Sequence, residues 1–407
     1  MSKFGNMTEL KKSLPMDIKG ELAKVPHNLN PLVPREAFFG GRTNGIKLFH
    51  EVKGGEQIKY VDFCSLYPYT NKYCSYPIGH PKVLTCNLSH DMNKYYGLVR
   101  CTILPPQSLL NPVLPMKIHN KLMFPLCRTC VTEKATVKCY HYESERALTG
   151  TWVTLEVEKA IEKGYKLMKV EIVWHFEQRA QYDQVTKQGG LFTDYVNTFL
   201  KVKQEASGWP DWCVTEADRQ RYLTEYAANE GITLEQSKIE KNPGLRALAK
   251  LMLNSFWGKF GQREDLVKTE IVDEPSRLYD LMKSYDETEV KDVRFINDEI
   301  LEVHYKDKEN FIYTNSRVNV VIAAFTTCHA RLRLYDVIDR LNDRVLYFDT
   351  DSVVYISRPG EWDPPTGDYL GDLTNETSSK GWKFYSFFCH GWAQKLCLHS
   401  RYGQDGV

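Results

Sequence analysis

The chain has 407 residues, 42% apolar and 12% aromatic, a composition that excludes disorder and collagen-like repeats and allows two or three domains. With 53 Lys plus Arg against 52 Asp plus Glu the net charge is +1, so attraction for nucleic acid has to come from a local cleft. No apolar run of about 18 residues offers a membrane span and no secretory leader opens the chain, so an intracellular setting without a membrane partner is expected, where eleven cysteines read as reduced thiols or metal ligands.

Residues 1–36 are polar and broken by Pro15, Pro26, Pro31 and Pro34, which reads as a linker or stub. From Phe38 the texture changes. Gln57–Asp62 has strand composition, and Ser65-Leu66-Tyr67-Pro68 turns it into a short helix. Residues 98–145 are rich in Cys and Pro and look irregular. A helix is predicted over 152–163, stopped by Gly164, before a strand through Val170–Phe176. Two more helices are predicted at 192–206 and 216–230, the second opened by Thr215 with Asp218 three residues on and closed by Gly231. Leu245–Phe256 holds no helix breaker, and Lys250 and Asn254, four apart, share a face with Trp257 a turn later. A long helix over 317–341 leads into Val345–Phe348 and Val353–Ile356, two β-rich runs around a polar tip.

That tip carries Asp349 and Asp351 two apart, so both carboxylates share a face if strand geometry persists through it. Paired acids repel unless a cation sits beside them. Asp62, ending another strand, completes a three-carboxylate set able to hold two Mg²⁺ ions about 3.5–4 Å apart for phosphoryl transfer. Polymerases and nucleases share that set, and acids alone do not separate them. A lysine held on a helix, Lys250, favours transfer from a nucleoside triphosphate, whose departing phosphates need a cation. Separately, Cys127-x-x-Cys130 followed by Cys139-x-His141 offers four soft ligands at knuckle spacing, which suit structural Zn²⁺ or stand as unligated thiols.

Three segments carry a family resemblance. Asp62-Phe63-Cys64-Ser65-Leu66-Tyr67-Pro68, Lys250-Leu251-Met252-Leu253-Asn254-Ser255-Phe256-Trp257-Gly258 and Tyr347-Phe348-Asp349-Thr350-Asp351-Ser352 resemble motifs A, B and C of family B DNA polymerases, in that order. Phe38-Phe39-Gly40-Gly41 resembles the template-handling Tyr-x-Gly-Gly element of the protein-primed branch, found in phages, adenoviruses, linear plasmids and Maverick/Polinton transposons; Phe38 stands in place of the tyrosine.

The resemblance implies an α+β fold: an antiparallel palm sheet with helical fingers and an insertion. It implies palm at 37–97, insertion at 98–190, fingers at 191–265 and palm again at 266–376. It implies metal binding by Asp62, Asp351 and the Phe63 carbonyl with Asp349 as third acid, a sugar-excluding gate at Tyr67, triphosphate contacts from Lys250 and Lys203, and a nascent-pair border at Asn254, Trp257 and Gly258. Phe38, Gly40, Gly41, Ser65, Thr350, Lys259 and Arg263 match positions that meet DNA. Template and primer DNA, a dNTP and a terminal priming protein are the implied partners.

The residues before motif A lack paired exonuclease acids, so no proofreading is expected, and a thumb is expected to be missing. Residues 391–399 can be written in codons that, read one nucleotide on, spell a family-like Gly-Gly-Pro-Lys-Asn-Tyr segment; the expectation is a frameshift just before Gly391 and a non-native tail within 377–407. The competing expectation is a transposon- or virus-derived remnant that binds nucleic acid without catalysis.

Overall fold

The computed structural model describes residues 31–263, 266–284, 286–308, 318–376, 387–390 and 396–399. Most of the expected linker and of the expected frameshifted tail lies outside the described residues.

Two compact units divide the chain, residues 1–257 with 321–407, and Gly258–Val320. In the larger unit the strands run β1 (Thr43–Gly45), β2 (Phe49–Glu51), β3 (Gln57–Phe63), β4 (Lys82–Leu84), β5 (Gly97–Leu104), β6 (Leu148–Val153) and β7 (Lys166–His175). The smaller unit adds β8 (Lys268–Val272), β9 (Thr288–Phe295) and β10 (Leu301–Asp307). After it come β11 (Val345–Asp349), β12 (Ser352–Ser357), β13 (Leu373–Asn375), β14 (Phe387–His390) and β15 (Leu396–His399). The main helices are α1 (Leu66–Tyr73), α2 (Thr154–Glu162), α3 (Thr193–Glu205), α4 (Glu216–Glu230), α5 (Pro243–Ser255), α6 (Pro275–Lys283) and α7 (Val320–Leu341).

A five-stranded antiparallel sheet in the order β1-β11-β12-β3-β13 brings together segments from both ends of the chain. Apart from an irregularity between Val345 and Tyr347 in β11, its strands alternate: Val61, Phe63, Phe348, Val353 and Tyr355 face one core, and Ile58, Leu346, Val354 and Ile356 face another with Phe388. The first core is shared with a second sheet, β4-β7-β5-β6, through Val99, Ile103, Trp152 and Val173, and with α7 through Leu334, Tyr335 and Ile338. An apolar core common to both sheets makes the larger unit one folding body.

The mixed α+β class stands as expected. Residues 97–104, 148–153 and 166–175 lie in the sheet that shares the main core, and the stretch between β5 and β6 carries a small hairpin, Met116–Ile118 with Lys121–Met123, and two short helices, Arg128–Thr132 and Glu143–Arg146. In the smaller unit β8, β9, β10 and α6 enclose a small core of Val272, Leu281 and Val303. The helix predicted from 152 begins at Thr154, because Trp152 and Val153 are fully buried in β6, where cross-strand pairing with β5 outweighs helix propensity.

The helical block forms as its sequence dictates. At the start of α4 the Thr215 hydroxyl accepts from the Asp218 amide at 3.2 Å, the Asp218 carboxylate accepts from the Thr215 amide at 3.0 Å, and Gly231 ends the helix with φ of +69°. Asn242 caps α5 by accepting from the Leu245 amide at 3.0 Å. Glu230 joins this block to α1. Its carboxylate accepts from Lys72 Nζ at 3.1 Å, from the Tyr73 hydroxyl at 2.7 Å and from the Leu370 amide at 2.7 Å, with Lys72 and Glu230 side chains 0% and 2% exposed. Glu230→Ala would strand a buried ammonium, and a loss of about 3–5 kcal/mol in urea unfolding is expected; a loss below about 1 kcal/mol would contradict this account of the pair.

Candidate active site

Pairing register aligns one row of residues across the five-stranded sheet: Thr43 opposite Asp349, Asp349 opposite Ser352, Ser352 opposite Asp62, and Asp62 opposite Thr374. Asp349 and Asp62 therefore sit two strands apart, roughly 9–10 Å at the usual strand spacing. Asp351 reaches Asp62 by another route. Strand geometry ends at Asp349, Thr350 turns into the left-handed region at φ +53°, and the Asp351 carbonyl accepts from the Phe63 amide at 2.7 Å.

The two acids of the hairpin accordingly do not share a face in the way unbroken strand geometry predicts. Asp351 lines a cavity with Asp62, whereas Asp349 is outside its lining and exposed. The Asp349 carboxylate accepts from the Thr43 hydroxyl at 2.6 Å, the Thr350 hydroxyl at 3.1 Å and the Tyr347 hydroxyl at 3.4 Å.

The cavity measures about 470 Å³ and is lined by Asp62 and Thr374 from the sheet, by Asp351 from the hairpin tip, by residues 63–67, and by Lys203, Arg246, Lys250, Asn254 and Trp257 from the helices and the turn after α5. Burial, then the charges of Asp351 and Glu376, push the Asp62 carboxyl up to about 7 against the pull of Lys250. Asp351 is raised by burial and by Asp349, again opposed by Lys250. Lys203 is lowered chiefly by burial, and it donates to the Ser65 hydroxyl at 3.2 Å.

Ser65 caps α1 in the left-handed region with φ of +56°. That turn brings Tyr67 into the cavity, where burial raises its phenol to about 12 and its ring stacks on Trp257 with centroids 4.5 Å apart. Phe38 also meets Trp257, edge-on at 6.3 Å. The Phe39 and Gly40 carbonyls accept from Arg331 at 2.7 and 2.9 Å; Arg331 is itself held by buried Glu156 at 2.8 Å. Gly41 has to lack a side chain, because a Cβ there would lie 2.5 Å from the Thr350 hydroxyl. Gly258, Lys259 and Arg263 belong to the smaller unit, where Lys259 donates to Gln262.

Away from the cavity, Cys127, Cys130, Cys139 and His141 bring their ligand atoms within 4.8 Å of one another, the one such group of three or more His, Cys, Asp or Glu found among the described residues.

The sequence reading missed four residues. Arg246 stands one helical turn before Lys250, a spacing that could have flagged it. Thr374, whose hydroxyl donates to the Asp62 carbonyl at 3.1 Å, and Glu376 lie in a stretch noted for its family likeness but given no role. Thr43 had no sequence signal, because only β1–β11 pairing brings it to Asp349.

An antiparallel sheet with acids at its strand ends beside helices bearing cations is an arrangement suited to a phosphate-bearing ligand and a divalent cation. A sequence profile described as "DNA polymerase type B, organellar and viral" matches residues 10–211 and 233–341, so the chain belongs to that family. No curated protein matches the chain. Among solved structures, phi29 DNA polymerase with primer-template DNA is similar at 17% identity and TM-score 0.51, over 97% of this chain and 55% of that one. The same enzyme with primer-template DNA and incoming nucleotides is similar at 18% identity and TM-score 0.51, over 96% and 55%. The chain thus spans about half the length of those structures, and at this identity the likeness concerns the fold. No helix among the described residues is long and apolar enough to cross a membrane.

Proposed function

We propose that this chain is the palm and fingers of a protein-primed, DNA-directed DNA polymerase that adds deoxynucleotides to a 3′-hydroxyl on a DNA template. The observation that carries the reading is the charge arrangement of one cavity, with Asp62 at a strand end, Asp351 at the hairpin tip, and Lys203, Arg246 and Lys250 on two helices. A volume of about 470 Å³ suits a nucleotide-sized ligand.

Two half-buried carboxylates, each pushed up by burial and by a neighbouring acid, Asp351 for Asp62 and Asp349 for Asp351, form a donor set that a divalent cation relieves. Asp62, Asp351 and the Phe63 carbonyl would hold the Mg²⁺ pair, which when bound supplies Lewis acidity at the attacking and leaving oxygens. Lys250, Arg246 and Lys203 bind the triphosphate and stabilise the charge that grows on the departing pyrophosphate; fixed on helices, they need little reorganisation. Trp257 borders the nascent base pair through its packing on Tyr67, which lies under the sugar. The Phe38–Gly41 segment, beside Thr350 and Trp257, guides the template strand. In the smaller unit, Lys259 and Arg263 contact DNA phosphates without reading sequence. A separate terminal protein supplies the first hydroxyl.

Primer extension with Mg²⁺ and dNTPs tests the reading, with the Asp349→Ala, Asp351→Ala double variant as control. Template-dependent extension that the double variant lacks is expected. Binding of DNA without extension favours the inactive remnant, and cleavage without nucleotides favours a nuclease. The gate has its own test: Tyr67→Val is expected to raise ribonucleotide over deoxynucleotide use by roughly 10–200-fold, the range for one contact in a pocket. Unchanged sugar selection removes Tyr67 from that role.

A further inference from the structure

We propose that Cys127, Cys130, Cys139 and His141 form a closed structural Zn²⁺ site that pins the connection between β5 and β6. The three sulfurs stand 3.5, 3.3 and 3.5 Å from one atom, His141 Nδ1. An imidazole nitrogen has one lone pair or one proton, so it can hydrogen-bond one thiol and not three. A cation at the centre accounts for all three distances. A tetrahedron with Zn–S of about 2.3 Å and Zn–N of about 2.0–2.1 Å has S···N edges of about 3.6 Å, close to those observed. The Cys130 amide also donates to Cys127 Sγ at 3.4 Å, which fixes the orientation of that sulfur. Four protein ligands leave no open position, so the site is structural and not catalytic.

The surrounding chain shows what the metal does. No helix or strand runs between Thr132 and Glu143, and Val137, Tyr140 and Tyr142 are 77%, 81% and 80% exposed, so this loop has no apolar core of its own. The Arg146 guanidinium anchors its return by donating to the Pro105, Pro106 and Leu126 carbonyls at 2.9, 2.7 and 3.4 Å. Between these anchors the metal replaces the missing core, as it does in small domains with too little apolar surface. None of the four ligands lines the cavity of Asp62 and Asp351, so this site can fail without touching the proposed activity, and the reverse.

The test uses the full chain. Protein from zinc-supplemented medium is expected to carry one zinc per chain, and Co²⁺ exchange is expected to give tetrahedral bands with thiolate-to-metal charge transfer. Cys139→Ser, at an exposed ligand, should lose the bound zinc and that charge-transfer spectrum, whereas Cys86→Ser, at an exposed cysteine elsewhere, should keep both. Trypsin should spare Lys134 and Lys138 in the loaded protein and cut there after chelation. Substoichiometric zinc together with a wild-type Co²⁺ spectrum lacking thiolate bands overturns the proposal. A spectrum unchanged in Cys139→Ser does so as well, since the metal would then sit elsewhere.

Discussion

Asp62→Asn is expected to lower nucleotide incorporation by roughly 10³-fold or more and, in metal-free protein above neutral pH, to raise thermal stability. The first effect follows from the several kcal/mol that a metal clamp contributes to charge stabilisation in the transition state, at about 1.4 kcal/mol per tenfold in rate. The second follows from proton linkage. Burial and the charges of Asp351 and Glu376 push Asp62 up to about 7 in the folded chain, whereas an unfolded aspartate titrates near 3.9. Between those values the folded state binds more protons than the unfolded state, so stability falls as pH rises from about 4 to about 7 and levels above it.

Asparagine carries no charge and escapes that loss. Mg²⁺ reverses the pattern, because it binds the ionised carboxylates: it should stabilise the wild type more at pH 8 than at pH 5.5 and the variant hardly at all. Thermal unfolding from pH 5 to 8, in chelator and in Mg²⁺, measures both arms. A variant no more stable than the wild type at pH 8 in chelator would falsify this account of the site's electrostatics.

The second large effect is expected at Lys250. Removing its charge should cost about 10²–10³ in kcat, the range for deleting one group aimed at developing transition-state charge. The loss has two parts. Lys250 opposes the upward shift of both Asp62 and Asp351, so Lys250→Ala should also move the acidic limb of the pH–rate profile to higher pH. Lys250→Arg keeps the charge and should restore the limb's position while recovering only part of the rate, since a planar fork replaces a point charge. Single-turnover incorporation from pH 6 to 9 reads both parts. An effect confined to KM would assign Lys250 to uniform binding of substrate and transition state, and would remove it from the stabilisation of developing charge.

The helices were legible because their signals are local. Thr215, Asp218 and Gly231 bound α4 within a residue of the predicted ends, and Lys250, Asn254 and Trp257 do line one cavity as 3.6-residue periodicity requires. Strands β8, β9 and β10 left no clear mark, since the small sheet they form is largely exposed and gives weak alternation.

The three motif sequences by themselves determined the family, and with it which residue types the site contains, because those choices are written in short contiguous runs. Only the tertiary structure decided how the acids are distributed: Asp351 beside Asp62, and Asp349 turned toward Thr43. That outcome depends on a backbone turn at Thr350 and on strand order β1-β11-β12-β3, which join positions hundreds of residues apart. Spacing along a chain fixes direction only while the backbone stays regular, and here regularity ends between the two aspartates.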